Sequence, residues 1–233
     1  MLKIFRLTFV VIWLFIAMFI ASIICILRPF HHNNGYFFSR VFSLLSYKIL
    51  GIDVIIEGKE FLHLDESAIL ICNHQSNYDL FLVTYLIPKR AVTIGKHTLA
   101  WIPFFGQIYW LTGQILVNRT SRAKSLVSMK AASKKIKDKN LKIWMMPEGT
   151  RSLGRGLLPF KKGAFYLAAQ NEIPIITIAV GDFRNYDLNK WRPGKLHVKI
   201  GAPVYASGKS KEDISSFCHS TYEDMKKTLA TLN

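Results

Sequence analysis

Acidic residues are scarce in this chain: 15 Asp and Glu stand against 31 Lys and Arg over 233 residues, for a formal charge of +16. That surplus asks for an anionic partner, whether nucleic acid, a phosphate-bearing substrate or acidic lipid. Cysteine is scarcer still. Cys25, Cys72 and Cys218 form no Cys-x-x-Cys pair and cannot all be bridged, which excludes a disulfide framework and a zinc site of the usual spacing. A reducing compartment is the default. No Gly-x-Ser-x-Gly elbow and no His-Glu-x-x-His pair occurs, and Gly208-Lys209-Ser210 has Pro203 where a phosphate loop needs glycine. Nothing therefore asks for a covalent intermediate. Helix-turn-helix, finger and RNP patterns are missing too, which weighs against nucleic acid. Repeats, low-complexity tracts and long linkers are also lacking, so one globular domain suffices. With half of the residues apolar, a disordered chain is excluded.

Charge is missing altogether from Leu7 to Leu27. As a helix rising ~1.5 Å per residue, this run reaches ~30 Å, the thickness of a bilayer hydrocarbon core. Lys3 and Arg6 before it resemble the start of a signal peptide, but the apolar stretch is too long and no Ala-x-Ala follows, so the reading is a retained anchor. Tyr36 to Leu50, with apolar residues interleaved with serines, Arg40 and Lys48, reads as a second, interfacial helix. Basic residues flank the apolar run on both sides, which leaves open a true span or a helical pair in one leaflet.

From Gly51 the pattern changes to short apolar runs of strand length at 53–56, 68–72, 92–94, 115–117, 141–146, 173–180 and 196–200. Helical stretches fall at 78–86, 121–137, 164–170 and 210–232. Strands apolar throughout, rather than alternating, are expected when helices cover both faces of a sheet. The predicted architecture is α/β: two membrane-anchoring helices over 1–51, then a single domain over 52–233 with a mostly parallel mixed sheet flanked by helices.

Three clusters could carry chemistry. Asn73-His74-Gln75-Ser76-Asn77-Tyr78-Asp79 follows a strand, where ligands bind in α/β sheets. An imidazole can take a proton from an alcohol, and a carboxylate on its other nitrogen fixes the tautomer. The spacing alone is weak, because His219 and Asp224 repeat it inside a polar helix where a solvated face explains it, and a structural histidine stays open for His74. Met146-Pro147-Glu148-Gly149-Thr150-Arg151-Ser152 also follows a strand. Its Arg151 fork matches phosphate oxygens, although an ordinary turn with a surface arginine fits as well. Lys96 and Arg119 end two further strands and could join Arg151 around one anion. Phe160-Lys161-Lys162-Gly163 adds cations at a helix start. Trp101-Ile102-Pro103-Phe104-Phe105-Gly106 is an apolar loop, either buried core or part of an acyl-chain wall.

Taken in order, the blocks 73–79, 113–119, 147–152 and 173–178, with Lys96 and Ile102-Pro103-Phe104-Phe105-Gly106 between the first two, resemble the glycerolipid acyltransferase family. Within it the chain is most similar to the bacterial 1-acyl-sn-glycerol-3-phosphate (lysophosphatidate) acyltransferases. Val117-Asn118 and Thr177 depart from the residues common in that family. The resemblance implies that His74 is a general base and Asp79 its orienting carboxylate. It also implies that Lys96, Arg119, Glu148, Gly149, Thr150 and Arg151 serve the phosphate-bearing acceptor, Glu148 by holding a cation or a backbone group. The implied donor is acyl-CoA or acyl-carrier protein, with no metal or other cofactor. The implied partners are lysophosphatidic acid and anionic membrane lipids, not nucleic acid. The implied location is the bacterial inner membrane, with the catalytic domain on the cytoplasmic side. The competing readings are another lysolipid or glycerol-3-phosphate as acceptor, and a non-enzymatic basic protein binding membrane or nucleic acid.

Overall fold

Each apolar run becomes a strand: β1 (Ile52–Glu57), β2 (Ile69–Cys72), β3 (Ala91–Lys96), β4 (Ile115–Val117), β5 (Lys142–Met145), β6 (Ile175–Val180) and β7 (Gly194–Ile200). The structure, a computed structural model, describes residues 1–118 and 122–232. The strands form one sheet in the order β1-β7-β6-β2-β5-β3-β4, every pairing parallel except β6 with β7. The helices are α1 (Leu2–Leu27), α2 (Asn34–Leu50), α3 (Asp79–Leu82), α4 (Phe105–Leu111), α5 (Arg122–Lys139), α6 (Gly163–Asn171) and α7 (Lys211–Leu232).

The central strand β2 shows why its run is apolar on every residue. Leu70 and Cys72 enter a core shared with Val10 and Ala17 of α1, Phe42 of α2 and Leu82 of α3. Ile69 and Ile71 enter the opposite core with Ile136 of α5, Phe165 of α6 and Phe217 of α7. The result is a three-layer sandwich with all four β2 side chains fully buried.

One expectation needs correction. The segment read as an interfacial helix is α2, and it lies between α1 and the body of the domain. Serines on its buried side make this possible. Ser39 and Ser46 donate to the Tyr36 and Phe42 carbonyls of their own helix, and Ser43 bonds the Thr84 hydroxyl at 2.7 Å. Residues 1–51 thus share one apolar core with the sheet. Among the described residues only α1 is long and apolar enough to cross a membrane. For the stretch around Trp101, read as core or acyl-chain wall, the structure excludes core. The stretch is a 3-10 turn (His97–Trp101) followed by α4, and Trp101, Ile102 and Phe104 are exposed rather than core.

Both ends of α1 are fastened to the domain. Arg6 is buried, and its guanidinium donates to the carbonyls of Leu188, Lys190 and Trp191 at 2.7–3.0 Å. At the other end the Phe30 N–H donates to Leu111 O, and Asn34 bonds the Arg28 carbonyl. Gly51, at φ 71°, turns α2 into β1 where a side chain would strike the Arg6 guanidinium and Trp191 O.

All three cysteines are buried. Burial pushes the Cys72 thiol well above its ordinary range, and that of Cys218 up as well. Since thiolates are the reactive form, the folded protein should take up no maleimide at neutral pH, whereas the urea-unfolded chain should take up three equivalents. Mass spectrometry of the two samples checks this.

Candidate active site

Strand register brings the sequence clusters to one edge of the sheet. Leu70 of β2 is level with Trp144 of β5, and Trp144 with Thr93 of β3. Four positions further along the three strands stand His74, Glu148 and His97, the last adjoining Lys96. Lys96 in turn is paired with Val117 of β4. Strands are ~4.8 Å apart, so Lys96 is displaced by two spacings, roughly 10 Å, from the His74 line. Arg119 lies outside the described residues.

The loop leaving β2 is held from both sides. Toward β6, the Asn73 side chain acts as an extra peptide: its Nδ2 donates to Val180 O and its Oδ1 accepts from Val180 N–H, both at 2.9 Å. Gln75 Nε2 donates to the carbonyls of Val180 and Gly181. Toward β5, Ser152 N–H donates to His74 O and Leu153 N–H to Gln75 O. Glu148, 3 % exposed, accepts the His74 N–H on Oε1 at 2.6 Å and the Leu158 N–H on Oε2 at 2.9 Å. Burial pushes its carboxyl above the ordinary range, the two backbone donors acting the other way. Of the two options for Glu148, cation or backbone, the structure has backbone.

In this cradle His74 Nδ1 bonds Asp79 Oδ2 at 2.5 Å. The same oxygen accepts the N–H groups of Gln75 at 2.9 Å and Ser76 at 3.3 Å, while Asp79 itself is 4 % exposed. A carboxylate can only accept here, so Nδ1 carries the hydrogen and the lone pair is left on Nε2. No hydrogen bond among the described residues involves Nε2, and the side chain is 20 % exposed. The second histidine motif has no such geometry. His219 is exposed on α7, and Asp224 there faces Lys227.

Pro147 and Gly149 make the turn after β5, closed by Gly149 N–H to Met146 O, with Gly149 at φ 73°. Thr150 and Arg151 beyond it are exposed. The structure adds one cation that the sequence reading did not single out from its neighbours. Lys161 lies across Gly149, its Nζ 2.7 Å from where a β-carbon there would stand, while Lys162 turns away to Ser215 Oγ. The Phe160-Lys161-Lys162-Gly163 run was the available signal, and only the fold separates its two lysines. Among the described residues no group of three His, Cys, Asp or Glu could hold a metal ion.

Residues 53–181 match the family described as Acyltransferase. The chain is 38 % identical to the 1-acyl-sn-glycerol-3-phosphate acyltransferase of Haemophilus influenzae, over all of this chain and 97 % of that one. The chain belongs to the acyltransferase family. Its Escherichia coli relative of the same name is 36 % identical, over all of this chain and 95 % of that one. The crystal structure of the 1-acyl-sn-glycerophosphate (LPA) acyltransferase from Thermotoga maritima shares this acyltransferase fold at TM-score 0.73 and 23 % identity, covering 99 % of this chain and 98 % of that one.

Replacing Glu148 by Gln tests the cradle. An amide accepts one backbone N–H and turns its own NH2 toward the other, leaving a buried donor without a partner. The expected loss of stability is about 1–3 kcal/mol, read from urea unfolding. An unchanged midpoint would show that Glu148 does not hold the two loops.

Proposed function

We propose that this chain acylates the sn-2 hydroxyl of lysophosphatidate, giving phosphatidate, with an acyl-CoA or acyl-carrier-protein thioester as donor. Its full-length bacterial relatives carry the corresponding name. One observation carries the mechanistic part: an imidazole fixed by a buried carboxylate on Nδ1, with Nε2 open at the edge of the sheet where cations gather.

Nε2 of His74 takes the proton of the acceptor hydroxyl as its oxygen attacks the thioester carbonyl. The new C–O ester bond forms, the C–S bond breaks, and the departing thiolate receives the proton held on Nε2. Asp79 stabilises the imidazolium between these transfers. Arg151, Lys161 and Lys96 surround the acceptor phosphate, Arg151 supplying the planar fork. Gly149 lets Lys161 lie flat over the turn. The thioester is already activated, so the reaction as proposed uses no metal or prosthetic group.

The acceptor is a lipid, and α1 supplies the route to it. Its outward residues, among them Phe5, Phe9, Phe15, Phe19 and Ile23, are exposed and apolar. With one side covered by α2 and both ends tied to the domain, α1 lies in one leaflet instead of crossing two. A small cavity of about 110 Å³ is lined by Lys3 of α1 together with Tyr78 and Leu82 at the two ends of α3, the short helix that opens on Asp79. Basic residues near the surface each add about 1 kcal/mol of attraction to anionic headgroups. Thioester donors set the domain on the cytoplasmic side of the bacterial inner membrane.

His74→Ala should lower kcat by at least ~10²-fold while His219→Ala leaves it unchanged, in a thiol-release assay with lysophosphatidate. Equal rates in the two variants would remove His74 from the chemistry. Arg151→Ala should raise KM for lysophosphatidate about tenfold with kcat retained, because the lost contact is shared by ground and transition states. A wild-type KM would take Arg151 off the phosphate.

A further inference from the structure

From His97 to Asn118 the chain has no Asp, Glu, Lys or Arg, a charge-free run as long as that of α1. Unlike α1 it is broken into short pieces. Pro103 interrupts it, and Gly106 stands where a β-carbon would run into the carbonyls of Ala100 and Leu99. The break leaves large apolar side chains outside the core: Trp101 is 81 % exposed, Phe104 74 %, Trp110 54 % and Ile102 44 %. Single exposed apolar residues are ordinary, but several gathered on one short segment mark a contact surface. Phe104 also sits at φ 62°, ψ −50°, a backbone conformation that bulky residues avoid. Its ring stays exposed, so this conformation does not serve core packing, and such outliers collect at functional segments.

We propose that the segment Trp101–Phe104 is a second membrane contact, an aromatic wedge that enters the lipid surface beside the catalytic edge. The inference rests on membrane association of the chain through α1. Three observations select lipid as the occupant. The segment leads into α4, whose Phe105 and Ile108 pack on Leu14, Met18 and Ala21 of α1, so it is joined rigidly to the lipid-facing helix. Tryptophan suits the boundary between headgroups and acyl chains, having an apolar ring and a polar N–H. Lys96, exposed at the end of β3 five positions before Trp101, suits anionic headgroups. Since Lys96 ends β3 on the edge that holds His74, the wedge would open the lipid surface next to the imidazole and shorten the path of the acceptor.

The buried native cysteines allow a direct test, because a cysteine introduced on the surface can be labelled selectively. Phe104→Cys, Phe15→Cys and Lys227→Cys, each in the full chain and carrying the fluorophore NBD, are mixed with equimolar phosphatidylcholine–phosphatidylglycerol vesicles containing doxyl-labelled lipid. The expected result is a blue shift and doxyl quenching at positions 104 and 15, with position 227 on α7 unaffected. Quenching at 15 with none at 104 overturns the wedge and leaves the α1 reading standing, whether or not another protein or a second copy covers the loop. Quenching at neither position overturns both. Trp101→Cys repeats the measurement should the Phe104 variant fail to fold. Independently, Trp101→Ser with Phe104→Ser should weaken vesicle partitioning about tenfold or more. Its thiol-release rate with a short-chain, monomeric lysophosphatidate should stay at the wild-type value. Unchanged partitioning counts against the wedge.

Discussion

The site depends on what happens to the peptide groups that leave the central strand. After Cys72 the chain stops pairing as a strand but does not reach solvent, and a buried N–H or carbonyl without a partner is costly. Side chains take over the ladder. Asn73 and Gln75 bond the end of β6, while the Glu148 carboxylate and the Ser152 and Leu153 N–H groups bond the His74 and Gln75 backbone. The His74 backbone is therefore set by the ends of the two strands flanking β2, while Asp79 of its own segment sets the ring. A change in either neighbour moves the imidazole, which explains why two blocks more than 70 residues apart in the sequence behave as one structural unit.

Acid is rationed in this chain and spent at this point. In a protein of charge +16, Asp79 and Glu148 are the buried carboxylates of the described residues, and both touch the His74 loop. Their roles divide by partner. Asp79 faces an imidazole and two backbone N–H donors, which fixes a tautomer. Glu148 faces two backbone N–H groups and fixes a position. Cations stay on the outside of the same edge, where Arg151, Lys96 and Lys161 are exposed. Burying the acids and exposing the bases lets the edge keep a positive field without setting like charges against one another in the interior.

Much of this is legible in the residues. The β2 run is apolar on every residue because helices cover both faces of the sheet there, whereas β1 and β7 alternate buried and more exposed residues. The His74–Asp79 pair is legible from spacing plus a strand end, since a carboxylate early in a short helix can fold back on the loop before it. What escapes has a physical reason in each case. The serines of α2 look like a polar face, but they satisfy their hydroxyls on carbonyls or on Thr84, so polarity in the sequence does not become exposure in the fold. The aromatics at 101–104 fit either core or an acyl-chain wall in the sequence, hydrophobicity alone does not choose between them, and the fold leaves Trp101, Ile102 and Phe104 exposed. Lys161 and Lys162 are neighbours of identical chemistry, and only the tertiary position of Gly149 distinguishes them.

The way α1 is fastened bears on catalysis as well as anchoring. An anchor joined by a flexible linker would let the domain rotate over the membrane, and the height of His74 above the lipid would fluctuate with the linker. Here Arg6 bonds three carbonyls of the segment that leads into β7, and Gly51 is the only residue type that leaves room for its guanidinium. At the far end Phe30 is tied to α4. The exposed apolar stripe of α1, the start of β1 and the end of β6 are thus parts of one packed body. On the proposed function, side-chain packing, which is nearly incompressible, would fix the distance from the lipid to the imidazole, so that an acceptor held at headgroup depth meets Nε2 without a search along the membrane normal.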